Sequence, residues 1–252
     1  MQRKMNSQRH VHALRVQLLA MSRLSQRALD YSVKGYELRN LDFARQVGTA
    51  ESELEKHYHR IKDLCRETVN GGIANDADFR LAFAALSIAA ALHVTYSAAA
   101  EMARGTIHSL ESGGIEKRAQ LRQLGQTVNA SMRLCVIALF ERDAYFARTA
   151  LGNEKQALQL AAGLHTDRRD SIQEDLECTV KRGLMKVAKQ THEIADALLF
   201  WLEGNNMFWV GSTCEVARLS REVPQALRKQ DATLFIQPHR DLESNAPQTF
   251  SC

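Results

Sequence analysis

Nine histidines, five cysteines and 29 acidic residues are the groups in this 252-residue chain with the capacity for acid–base, nucleophilic or metal chemistry. Glu53 with His57, and Glu55 with His59, stand four residues apart, which places each pair on one face of a single helix. Such pairs contribute a few tenths of a kcal/mol, ~0.3, as exposed charge-assisted contacts and read as a solvated face rather than as ligands. A ferritin-like di-metal oxidase needs Glu-x-x-His on each of two helices plus two further inward glutamates. No histidine here has a glutamate three residues before it. His93, inside an alanine-rich run, and His192, beside Glu193, read as hydrogen-bonded packing residues; the functional alternative for His93 is a group titrating near neutrality. Tyr96 beside it reads as an exposed aromatic contact. Neither Gly-x-Ser-x-Gly nor Gly-x-x-x-x-Gly-Lys occurs, so no catalytic residue is assigned and the chain reads as a non-enzyme.

Cys65, Cys135, Cys178, Cys214 and Cys252 lie far apart, with no CxxC pair to support a zinc or redox site. An odd, scattered set fits reduced thiols in a cytoplasmic protein, the first three as core or half-buried residues of helices. Charged residues make up 25% of the chain and the formal net charge is +4, with both signs mixed along the sequence. That pattern marks solvated helix faces and argues against a nucleic-acid partner. No stretch approaches the roughly 20 apolar residues of a membrane span. Even the apolar run 81–100 contains Ser87, His93 and Ser97.

The elements that position these groups are announced by proline. None occurs in the first 223 residues; Pro224, Pro238 and Pro247 all fall in the last 29. Ordinary usage would place roughly eleven in so long a stretch, and each costs about 3 kcal/mol inside a helix. The body is therefore expected to be all-α. The periodicity and breakers predict helices over 12–38, 41–69 (capped by Asn40), 76–110, 116–141, 143–165 and 171–203. Asn70-Gly71-Gly72, Gly113-Gly114 and Gly204-Asn205-Asn206 supply the stops.

The pattern repeats. Leu41-Asp42-Phe43-Ala44-Arg45 is echoed by Ala144-Tyr145-Phe146-Ala147-Arg148, and Arg39 by Arg142. The third helix of each half carries a bundle seam: Leu81, Ala85, Ile88, Leu92, Thr95, Ala99, Met102, and Leu184, Val187, Thr191, Ile194, Leu198, Trp201. Spacings of three and four make the stripe of a left-handed bundle. Two tandem three-helix bundles follow, over 1–112 and 113–206. A tail over 207–252 is expected to be a flexible extension, with Met207-Phe208-Trp209-Val210 packing on the bundle end and Leu234-Phe235-Ile236 as a sticky patch. Nine alanines between positions 81 and 100 allow close helix approach; packing inside the bundle accounts for some of them, and the surplus over one seam suggests a homodimer interface.

These residues resemble the PhoU family of phosphate-uptake regulators. The likeness spans roughly residues 14–203. It rests on Leu19-Ala20-Met21-Ser22, Ala28-Leu29, the Asn40-Leu41-Asp42 turn, Ala44 to Val47, Leu54 and Ile61, with Glu51 at a family acidic position. The resemblance implies a cytoplasmic, homodimeric negative regulator. It would act without turnover by contacting the ATPase subunit of the phosphate transporter and a sensor histidine kinase, without entering the membrane. Family members carry Glu-x-x-x-Asp on the third helix of each half, where some hold metal clusters. Aligned by the seam, those positions here are His93 and Ser97, and Met185 and Lys189. Cluster metals want bridging carboxylates, which these residues do not supply. One turn on, Glu101 and Glu193 remain, enough for one weak site at most. No cofactor or family-type cluster is expected, and His93, Ser97, Glu101, Met185, Lys189 and Glu193 become the expected partner-contact residues. The alternative is a helical scaffold of another pathway that kept the fold and lost the metals.

Overall fold

Why does a chain with no proline before position 224 break where it does? The computed structural model describes residues 2–70, 76–112, 119–164 and 172–204. The described residues form α1 (Gln2–Leu38), α2 (Leu41–Val47), a 3-10 turn (Gly48–Ala50), α3 (Glu51–Asn70), α4 (Asp76–Glu111), α5 (Ala119–Glu141), α6 (Ala144–Ala162) and α7 (Ile172–Glu203). No strand occurs among them. The tail beyond Gly204, with its aromatic run, apolar patch, Cys214 and Cys252, lies outside the described residues, as do the glycine pairs at 71–72 and 113–114.

The turns of the two halves have one geometry. Arg39 and Arg142 adopt left-handed φ values of 54° and 57°. Asn40 (φ −114°, ψ 113°) and Asp143 (φ −115°, ψ 115°) then cap the next helix, their side chains accepting from the Asp42 and Phe43 amides and from the Tyr145 amide. Gly204 ends α7 at φ 70°, its N–H donating to the Phe200 carbonyl at 3.1 Å.

Two elements differ from expectation. α1 begins ten residues before position 12, in a proline- and glycine-free stretch. Val11 packs against the core there, and His10 lies 3.7 Å from Glu67 of α3. The single helix expected over 41–69 is cut by the 3-10 turn. The cause lies in Tyr96, which is buried rather than exposed. Its hydroxyl donates to the Val47 carbonyl at 2.6 Å, competing with the amide one turn on, so the ladder tightens. Burial, then the Glu51 carboxylate, pushes the Tyr96 phenol up. In α6 no tyrosine reaches across, and the helix is continuous.

α1, α2–α3 and α4 pack as one three-helix set, and α5, α6 and α7 as another; the most extensive interface, α4 on α7, joins them. One continuous buried cluster runs through both sets. Both seams face into it: all seven α4 positions are buried, as are Leu184, Val187, Thr191, Ile194 and Leu198 of α7, with Trp201 half-buried at the end. Cys65 and Cys135 are buried, and Cys178 is half-buried. Burial drives the Cys65 and Cys135 thiols up, the latter to about 12.

Eight of the nine alanines are buried inside the chain, the exception being the half-buried Ala90. α1 and α7 cover the alanine face expected to be available for a dimer. Ala77–Glu111 also amends the membrane expectation. With a mean hydropathy of 1.6 it is long and apolar enough to cross a bilayer, but 67% of that window is buried in the protein, as in a core helix.

Candidate contact surface on the paired long helices

α4 and α7 run antiparallel and close. A Cβ at Gly183 would stand 2.5 Å from Met102 Cγ, one at Gly105 would meet Leu176 and Thr179, and one at Gly204 would meet Arg80. Counting nine residues from Met102 and from Gly183 in opposite chain directions along this register places His93 and His192 at the same height. Each faces a carboxylate on the neighbouring helix of its own half.

In the first half His93 Nε2 lies 2.6 Å from Glu55 Oε1 of α3, and its ring centroid 5.1 Å from that of Tyr58. The second Glu55 oxygen is 3.8 Å from His59 Nε2, so this carboxylate bridges two histidines. His57 is likewise not an exposed partner of Glu53 alone: its side chain is largely covered, and Nδ1 lies 2.6 Å from Gln17 Oε1 of α1. Ser97 is exposed, but its hydroxyl turns back to donate to the His93 carbonyl at 3.0 Å. Glu101, one turn further, is exposed.

The second half brings Met185, Lys189 and Glu193 together. They line an open groove of about 400 Å³ with Ala188 and His192 of α7 and Glu154 and Leu158 of α6. His192 sits between two carboxylates, Nδ1 at 2.6 Å from Glu154 Oε2 and Nε2 at 3.2 Å from Asp196 Oδ2. The groove mixes apolar Leu158, Met185 and Ala188 with polar side chains of both charge signs, Leu158 being itself exposed. Such a surface suits small groups or protruding side chains of a partner. None of the α4 trio (His93, Ser97, Glu101) lines this groove.

Sequence reasoning missed Glu154, Leu158 and Asp196 and left His192 as packing. Once the pairs are seen, Glu55–His93 and Glu154–His192 span the same 38 residues, but the helix-start repeat (Arg45 onto Arg148) matches Glu154 to Glu51 and so did not announce them. The seam register set His93 against Met185, but in its ion pair the counterpart of His93 is His192, one heptad on.

The donor set does not fit a carboxylate-bridged metal cluster. Among the described residues no group of three or more His, Cys, Asp or Glu is placed to hold a metal ion. The seam positions offer a histidine, a hydroxyl, a thioether and an ammonium that repels cations.

Fold and groove together define a tandem three-helix-bundle protein with an open, mixed-charge surface along its paired central helices. Two solved structures share this architecture. PhoU from Pseudomonas aeruginosa superposes with a TM-score of 0.68 at 19% identity, covering 79% of this chain and 99% of that one. The phosphate transport system regulatory protein PhoU from Streptococcus pneumoniae gives 0.68 at 15% identity, covering 79% and 98%. The fold is PhoU-like. No protein-family profile and no curated protein matches the chain.

Proposed function

We propose that this protein is a cytoplasmic regulator of phosphate uptake and of the phosphate response, acting by contact and not by turnover. The observation that carries the reading is the completeness of the likeness: nearly the whole of each PhoU structure is matched, one of them named as a phosphate transport system regulatory protein. The partners are the transporter's ATPase subunit and a sensor histidine kinase, and the effect is repression when phosphate is plentiful. The contact set is His93, Ser97 and Glu101 on α4 with Met185, Lys189 and Glu193 on α7, to which Glu154, Leu158 and His192 are added because they share the groove. Signalling then consists of preferring one partner state over another. The protein works without a metal cluster. A homodimer, where formed, uses faces other than the alanine run, which is spent inside the chain.

Deleting the gene in its host is expected to raise alkaline phosphatase activity in phosphate-rich medium, and restoring it to lower that activity again. Unchanged activity in a host without a paralogue would refute the reading. Replacement of both expected acidic pairs favours a second reading, a helical scaffold of another pathway, which predicts that unchanged result.

A further inference from the structure

A second surface lies away from the groove, where α1 and α5 run side by side. Their direction is antiparallel: a Cβ at Gly125 would touch Val33, while Asn129 and Arg133 both reach Asp30, at 2.9 and 3.2 Å. This register brings Ile137 to the height of Arg23.

Its charges are layered. The two carboxylates, Asp30 and Glu37, are withdrawn, their side chains 19% and 15% exposed. Above them stand Lys34, Arg122 and Arg133, and Arg23 and Arg27 on α1 are also exposed. Along the outer stripe of α5, Ala130 and Arg133 are followed at bundle spacing by Ile137, 39% exposed, and Phe140, 55% exposed. Arg133, with Arg23 and Arg27 of α1, stands within about two turns of Ile137, while Lys34 and Arg122 lie toward the other end of the face and the exposed Glu141 adjoins Phe140. Arginine around half-exposed aromatic and aliphatic side chains is the composition of protein interface centres. A second copy is the wrong occupant, because two-fold pairing of this face sets arginines against arginines.

We propose that the α1–α5 face docks an acidic amphipathic helix of a protein partner. Its apolar side chains cover Ile137 and Phe140. Its flanking glutamates or aspartates pair with Arg23, Arg27 and Arg133, and it lies in the groove between the two helices as a further bundle member. Exposed apolar side chains at bundle spacing on α5 favour a helix over an anionic lipid surface, whose phosphates the guanidinium fork would take equally well.

The test uses the full-length protein and a fluorescein-labelled helical peptide with leucine at heptad positions a and d and glutamate at e and g, followed by anisotropy. A matching peptide with lysine for glutamate, and vesicles of mixed phosphatidylcholine and phosphatidylserine, are titrated in parallel. The glutamate peptide should bind, and the lysine peptide should not. Arg23→Glu with Arg27→Glu, and separately Phe140→Ser, should each weaken binding at least about tenfold. These exposed sites lie outside the Asp30 network, so circular dichroism should be unchanged, and Lys189→Glu in the other groove should leave binding intact. Absence of binding, equal binding of both peptides, indifference to the variants, or capture of vesicles in place of the peptide would each overturn the proposal.

Discussion

Arg39 and Arg142 hold left-handed backbone that a side chain disfavours by about 1–2 kcal/mol. Glycine removes that strain but is more flexible when unfolded, so the net gain is smaller. Arg39→Gly and Arg142→Gly should each stabilise the protein by about 0.5–1 kcal/mol in urea unfolding; destabilisation by either would contradict the shared turn geometry. Asp30 makes a prediction of its own, in pH. Burial pushes its carboxyl up, but hydrogen bonds from Lys34 and Asn129 and the charges of Lys34 and Arg133 outweigh this and hold it below its ordinary value. A folded-state value below the unfolded one stabilises above the ordinary carboxylate range, and that contribution is lost as pH falls from about 4 through the folded value. Asp30→Asn should cost about 1 kcal/mol near neutrality, and the difference from the unmodified protein should shrink on acid titration of the unfolding midpoint. A constant difference down to the acid limb would show that the charge is irrelevant.

At the scale of elements, the α4–α7 seam is where the two halves become one core. Alanine at Gly183 favours the helix by about 1 kcal/mol but forces the buried Met102 side chain to move, and overpacking costs about 1–3 kcal/mol. Gly183→Ala should therefore destabilise, whereas in a Met102→Ala background the same change should stabilise. Additive behaviour in this double-mutant cycle would refute the close contact. The seam was legible in the sequence because heptad spacing is local, and so were the Asn40 and Asp143 turns, which are cap chemistry. The cut in the second rod was not, because its cause is a hydrogen bond between residues 49 apart, Tyr96 and Val47. Nor were the Glu55–His93 and Glu154–His192 pairs, whose partners meet only once the rotation of one helix against another is fixed. For the alanine run, periodicity gave the face and not its neighbour, which is α1 and α7 of the same chain.

At the scale of the molecule, two halves with one turn geometry and matched histidine–carboxylate pairs are fused through α4–α7 and stitched again by Asp30 of α1 to Asn129 and Arg133 of α5. The seam positions His93, Ser97, Met185 and Lys189 carry no carboxylate, and Lys189 and His192 line the α6–α7 groove proposed as the contact surface. The most direct measurement of this account is alkaline phosphatase activity in a phosphate-rich deletion strain. The strain would carry either the unmodified gene or Lys189→Glu with His192→Ala, with unfolding midpoints shown to agree. The unmodified protein should restore repression and the groove variant should not. Equal repression by both would contradict the groove as the contact surface, and no repression by the unmodified protein would contradict the phosphate role itself.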